Sequence, residues 1–282
     1  MLKSYASLLA FVAPWSALFL RSVCANTYVA VYRRAVSMPE KENRLLILGR
    51  WTAEGLNRIL QESSKINAAG QRIDVLSRNL LGVDYKASTL IGDVNTPEIF
   101  VVNLDGMDCM TFIEYIEAMR LSGSFSEFIK NLKIVRYYQG KVAFGNRTHF
   151  FTDWMDLGFV EDVTTEIGGT KTIRVDKRLN LKKDGGYIIP GIPYKDREIG
   201  YIPSDAVAVD DAVMDRLNTG DYVGMYSKED GLDVSHVGIV IKTGKQIYLR
   251  HASFLAGKVV DENFKEYIAK KEGLVILRPI VV

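Results

Sequence analysis

The chain has 282 residues, 48% hydrophobic and 25% charged, proportions of a folded globular protein that exclude a disordered chain or a coiled coil. Its 36 basic and 34 acidic residues leave a net charge of +2, which gives no reason to expect a nucleic-acid partner. No internal repeat and no low-complexity tract stands out.

In chain order, Lys3 precedes an apolar run of 15 residues, Ala6 to Leu20, followed by Arg21, Ser22, Val23, Cys24 and Ala25. A basic start, an apolar centre and small residues before a cut after Ala25 describe a secretory signal peptide over 1–25. The run is short of the roughly 20 residues of a membrane span. Val23 is too bulky for the position before a lipidated cysteine. The expected mature protein is exported, periplasmic or extracellular, without a stable membrane span. It keeps Cys109 and loses Cys24, and a single thiol closes no internal disulfide.

Residues 26–72 read as an N-terminal helical extension and 73–282 as the main domain. Helical spacing runs over 40–81, with Leu45, Leu46, Leu48, Leu56, Ile59 and Leu60, then Ile73, Leu76, Leu80 and Leu81, until Gly82 stops it. A strand is expected at 98–104, a helix at 105–121 and another at 125–135. From Lys141 the texture turns to β-branched and aromatic runs. Strands are expected at 234–241, 246–252 and 274–280, with a helix near 262–272. Helices first and strands later, without βαβ alternation, is an α+β pattern.

Cys109 lies just after Asp105, Gly106 and Asp108, residues suited to a strand-to-helix turn and an N-cap. Phe112, Ile113 and Ile116 follow at the spacing of a buried helix face, with Glu114 and Glu117 expected to point elsewhere. A thiol in the first turn of a helix is expected to have a lowered pKa, as a nucleophile needs. On strand 234–241, His236 and Gly238 share a face; on strand 246–252, Leu249 and His251 do. A two-residue turn at 243–244 pairs His236 with His251; a turn at 244–245 pairs Gly238 with His251. Either register brings the two imidazoles close on one sheet face, the arrangement of a base oriented by a second polar group.

A Cys at a helix start, then His on a strand, then a polar residue on the next strand resembles the NlpC-type, papain-like cell-wall cysteine hydrolases. Leu81-Gly82-Val83-Asp84-Tyr85, Asp108-Cys109, Gly220-Asp221 and His236-Val237-Gly238-Ile239 stand at that superfamily's motifs, with Asp84 replacing the usual Pro. The strings DCMTFIE, IVRYYQGKVAFGNRTHFFTDWM, GLDVSHVGIV, LRHAS and GLVILRP, in order from about Ile73 to Pro279, resemble one branch associated with N-acetylmuramoyl-L-alanine amidase activity. The resemblance implies a papain-like α+β fold, a nucleophile-bearing helix packed on an antiparallel sheet. It implies Cys109 as nucleophile, His236 as general base and then acid, and His251 as the residue that orients it. Asp108, Arg147, His149, Asp153, Trp154 and Ser235 are expected at the substrate. The stretch from Arg147 to Trp154 also reads as an aromatic core segment with a salt bridge.

The expected substrate and partner is a muropeptide or peptidoglycan, cleaved between N-acetylmuramic acid and L-Ala through a Cys thioester, with no cofactor and no metal. The nearest alternative is a γ-D-glutamyl–diamino acid endopeptidase of the same superfamily. A zinc amidase using His149, His236 and His251, a non-catalytic wall-binding module and an acyltransferase are further alternatives.

Overall fold

In the computed structural model, which describes residues 44–280, the first element is a strand rather than a helix. β1 (Arg44–Ile47) lies parallel to β3 (Phe100–Asn103), with Arg44 opposite Phe100. β3 is buried along its length, and its free edge needs partners for its backbone N–H and C=O groups; β1 supplies them. This overrides the helical spacing of Leu45, Leu46 and Leu48. Two helices follow. α1 (Ala53–Ser63) is capped by the Thr52 hydroxyl, which accepts from Gly55 N–H, and α2 (Ala69–Arg78) ends before Gly82, where a φ of +81° turns the chain. Leu56 and Leu60 share a core with Phe112 and Phe128. From Arg44 on, the segment expected as a separate extension is therefore part of the main body. The expected signal peptide lies outside the described residues.

β2 (Asp84–Tyr85) pairs in parallel with β4 (Gly106–Met107). That pairing holds residues 106–107 extended, so α3 (Cys109–Arg120) begins at Cys109 and not at Asp105. α4 (Phe125–Arg136) packs against it. The expectation of an amphipathic α3 is corrected. Every residue from Thr111 to Arg120 is buried, Glu114 and Glu117 included. Arg136 Nε donates to Glu114 (2.7 Å), while Arg120 Nε and Nη2 donate to the two Glu117 oxygens (2.8 and 2.6 Å). Buried charge is tolerated here because each carboxylate has its own guanidinium.

The second half supplies β5 (Val160–Asp162), α5 (Thr164–Gly168), β6 (Ile173–Leu179), β7 (Lys195–Pro203), α6 (Ser204–Val209), α7 (Asp211–Arg216), β8 (Tyr222–Tyr226), β9 (Val234–Thr243), β10 (Gln246–Ser253), β11 (Lys258–Asn263), α8 (Phe264–Ile268) and β12 (Gly273–Pro279). The main sheet runs β4-β2-β11-β10-β9-β8-β12-β7-β6, with β5 also on β12, and apart from β2–β4 its pairs are antiparallel. The class is α+β with a curled sheet. The helix expected near 262–272 is corrected: β11 runs through Asn263, and only Phe264–Ile268 is helical.

Alternation along the strands divides the core in two. Val237, Ile239, Val275 and Leu277 face α1–α4; Val223, Met225, Val240, Leu274 and Ile276 pack with Ile167, Val213, Phe264 and Ile268 on the other side. Among the described residues, no helix is long and apolar enough to cross a membrane.

Candidate active site

Asp108 is the N-cap of α3. Its Oδ1 accepts from Thr111 N–H (2.8 Å), and Thr111 Oγ1 accepts from Asp108 N–H (3.0 Å), a reciprocal capping box. This cap fixes Cys109 as the first helical residue, with its thiol partly buried at the end of the helix. The backbone N–H groups of Val237, Cys109 and Met110 face its sulfur. Val237 brings the sulfur to the peptide that follows His236. The N–H is free to do so because the β9–β10 ladder runs only from Thr243–Gln246 to Ile239–Arg250. Beyond that pair the ladder stops, and the Val237 N–H turns to the thiol.

The turn between β9 and β10 is Gly244-Lys245, with Gly244 at φ +61°. Of the two registers the sequence leaves open, this is the one that places Gly238 across from His251. A Cβ on Gly238 would lie 2.6 Å from Leu249 Cδ1, 3.0 Å from Arg250 O and 3.0 Å from His251 Cβ. Glycine lets His251 close on its neighbour. His236 Nε2 and His251 Nδ1 are 2.6 Å apart, with the rings edge to face at 4.8 Å. A β-bulge at Ser235 precedes His236: Met225 pairs with His236 and the next residue, Tyr226, with Val234. Such a bulge re-aims the side chain beside it.

Three residues that sequence reasoning missed complete the cluster. Glu262 Oε1 lies 3.1 Å from His251 Nε2 and accepts from Ser253 Oγ (3.2 Å). Tyr267 packs against both imidazoles, 5.0 Å from His251 and 6.0 Å from His236 between ring centroids. Lys271 lies over the Tyr267 ring at 4.7 Å. The signal for Glu262 was strand parity, since it pairs with Leu249 and so shares a face with His251; reading 262–272 as helix hid it. Tyr85, part of the 81–85 motif, also borders the site: burial first, then Cys109 and Asp108, raise its phenol.

The electrostatics differ from the expected lowered thiol pKa. Burial first, then the Asp108 charge, push Cys109 up to about 11, against the pull of the three N–H groups. Burial, with the charges of His251 and Lys271, pushes His236 down to about 3. His251 is also lowered by burial, with Lys271 adding to this and Glu262 and Asp261 opposing it. Both shifts favour the neutral form, thiol over thiolate and imidazole over imidazolium.

The residues expected at the substrate scatter. Asp108 adjoins Cys109, and Ser235, exposed on the bulge, adjoins His236. Arg147 is engaged elsewhere: its Nε and Nη2 donate to the two oxygens of buried Glu98 (2.8 and 2.7 Å). Trp154 is fully buried, with Phe159 and Tyr222 edge-on at 5.2 Å each. Asp153 is buried; it accepts from Phe150 N–H and pairs with Lys195. His149 Nε2 donates to Phe144 O (2.9 Å). The structure thus gives Arg147 and Asp153 ionic partners of the chain's own, and packs the Trp154 ring among other rings while its Nε1–H finds no hydrogen-bond partner among the described residues. His149 does not join His236 and His251, and no group of three or more metal-ligating side chains occurs among the described residues. An open cavity of about 790 Å³ over the β6–β7 hairpin, lined by Lys177, Arg178, Arg197 and Asp230 among others, contains none of the cluster.

No curated protein matches the sequence. A solved structure from Legionella pneumophila superposes with a TM-score of 0.70 at 20% identity, covering 81% of this chain and 94% of that one, a likeness of fold. An N-acetylmuramoyl-L-alanine amidase from Bacteroides uniformis has a TM-score of 0.61 at 26% identity, covering 75% of this chain and 98% of its own. A Bacteroides fragilis protein provisionally named a xylanase has 0.56 at 28%, covering 72% and 98%. The model of the AmiA-like family, described as N-acetylmuramoyl-L-alanine amidase-like, matches residues 75–274, a span that holds Cys109, His236, His251 and Glu262, and the chain belongs to that family.

Proposed function

We propose that this chain is an exported cysteine amidase that cleaves the bond between N-acetylmuramic acid and L-Ala in muropeptides or peptidoglycan. Family membership supports a cell-wall amidase-like hydrolase. The observation that carries the cysteine mechanism is the placement of Cys109. Its sulfur sits at a capped helix start, against the peptide N–H of Val237, the residue after His236, and His236 is itself hydrogen-bonded to His251. A nucleophile-bearing helix against an antiparallel sheet that carries the histidines supports the NlpC-type, papain-like reading of the α+β fold.

Because thiol and imidazole rest neutral, the proton moves as the bond forms. His236 accepts the Cys109 proton while the sulfur attacks the lactyl carbonyl of the sugar. The N–H groups of Val237, Cys109 and Met110, which face the sulfur, can serve as donors for the oxyanion, and losing one such donor typically costs about 10²–10³ in rate. The imidazolium returns its proton to the leaving L-Ala amine as the C–N bond breaks. Water, deprotonated by His236, then attacks the thioester, and the thiol leaves with that proton. His251 keeps the His236 ring in place throughout. Glycoside cleavage is less well supported, since it needs two carboxylates flanking the bond. Here Asp108 is held by Thr111, and Glu262 by His251 and Ser253.

Mass spectrometry of defined muropeptides after digestion tests the reading. Release of free sugar and intact stem peptide is expected. Cleavage after D-Glu instead marks an endopeptidase. Cys109→Ala is expected to abolish turnover while changing stability by no more than about 1 kcal/mol; an active variant rules out the thioester.

A further inference from the structure

Glu262 lies at the end of a chain of side chains, on a strand the mechanism above does not use. Its carboxylate oxygen can only accept. The 3.1 Å contact with His251 Nε2 therefore requires a hydrogen on that nitrogen. A neutral imidazole protonated at Nε2 carries its lone pair at Nδ1, and His251 Nδ1 is the atom 2.6 Å from His236 Nε2. That contact in turn requires a hydrogen on His236 Nε2. The lone pair of His236 then falls on Nδ1, the nitrogen turned away from His251, which makes no hydrogen bond to a described residue. One carboxylate thus sets the direction of two hydrogen bonds in series. Reversing it would put a hydrogen on His236 Nδ1, and the ring would be unable to accept the thiol proton there.

We infer that Glu262 is a positioning residue that selects the tautomers of both histidines, so that His236 presents an unprotonated Nδ1 as the base. Three observations agree with this role. His251 is nearly fully buried, so water does not compete for the bond between the rings, whereas the Glu262 side chain is about 40% exposed to water. Ser253 Oγ donates to the same Glu262 oxygen and holds it in place. The other groups facing the pair are Tyr267, which packs against the rings, and Lys271 and Asp261, which act through charge; none of them makes a hydrogen bond to either ring. The role rests on the cysteine reading only for its use in catalysis; the tautomers themselves do not.

The experiment is ¹⁵N NMR of the histidine rings in the full chain, beside muropeptide hydrolysis, for wild type and Glu262→Gln. The chain has three histidines, and His149, bonded to Phe144 O, serves as an internal control. In wild type at neutral pH both His236 and His251 are expected as Nε2–H tautomers. Gln can donate as well as accept, so Glu262→Gln is expected to mix the tautomers and leave His149 unchanged. The expected loss is about 10–100-fold in kcat with little change in KM, the usual cost of removing an outer orienting group. A wild-type His236 found as the Nδ1–H tautomer overturns the proposal without any variant. So does a Glu262→Gln protein with unmoved ring shifts and full activity. If the shifts move as expected while Cys109→Ala remains active, the tautomer assignment stands and the cysteine mechanism fails, so the two failures are separable.

Discussion

Asp108 acts on Cys109 in two ways with opposite consequences. Its carboxylate caps α3 and so fixes where the thiol sits, while its negative charge helps burial to raise the thiol. Substitution separates the two. Asp108→Asn keeps a capping oxygen and removes the charge, so alkylation of Cys109 by iodoacetamide at pH 8 is expected to quicken with little change in stability. Asp108→Ala removes the cap and is expected to cost about 1 kcal/mol, read by denaturant melts. Slower alkylation in Asp108→Asn would show that the charge does not burden the thiol. The wild-type pH profile carries a related expectation. With the thiol pushed up to about 11 and His236 down to about 3, alkylation should keep climbing above pH 9. A plateau near neutrality would mean a resting thiolate–imidazolium pair. The place of Cys109 in the chain was legible from Asp108 and from the spacing of Phe112, Ile113 and Ile116. Its acidity was not, because the helix-end argument counts N–H groups and leaves out the burial created by strands far away in sequence.

At the level of the element, the β9–β10 hairpin makes the site, and Gly238 is its tightest point. A Cβ there meets backbone at Arg250 O as well as the His251 side chain, so neither neighbour can yield cheaply. Gly238→Ala is expected to destabilise by about 1–3 kcal/mol and to slow hydrolysis by forcing His251 away from His236. A variant with wild-type melting and turnover would show that the strands do not need this closeness. Alternation of His236 with Gly238 and of Leu249 with His251 was visible in the sequence, and it put both rings on one face whichever turn was chosen. The bulge at Ser235 was not visible, since it depends on how Met225 and Tyr226 pair across the sheet. β1 and the β6–β7 hairpin were missed for a similar reason. β1 satisfies the backbone of β3, a demand that only the assembled sheet creates, and β6 alternates with little apolar content, Arg174, Asp176 and Arg178 facing outward.

Across the whole molecule, buried charges and neutral histidines tie stability to pH, and they do so with opposite signs. Arg147 is first a structural cation. Removing it leaves Glu98 buried with Tyr137 Oη as its one remaining side-chain donor among the described residues, so Arg147→Ala is expected to cost about 3–5 kcal/mol, far more than an open groove residue would. The histidines govern the acid side. His236 titrates at its ordinary 6.5 in the unfolded chain and near 3 in the fold. Between these values the unfolded state binds the extra proton, so the stability that neutral His236 contributes is complete above about 6.5 and is lost as pH falls towards 3. His251, also lowered, acts in the same direction. Glu114 and Asp233, raised by burial, act in the opposite one, since protonation favours their folded state as the solution is acidified. A wild-type acid melt alone therefore mixes the two classes. His236→Gln isolates one, because the Gln amide can still donate to His251 Nδ1 while carrying no titration. Between pH 6.5 and pH 5, wild type is expected to lose about 1.6 kcal/mol more in total than the variant, the slope rising from about 0.7 kcal/mol per pH unit at pH 6.5 towards about 1.4 at pH 5. Denaturant melts of both proteins across that window make the comparison, and parallel curves would mean that His236 is not held neutral in the fold.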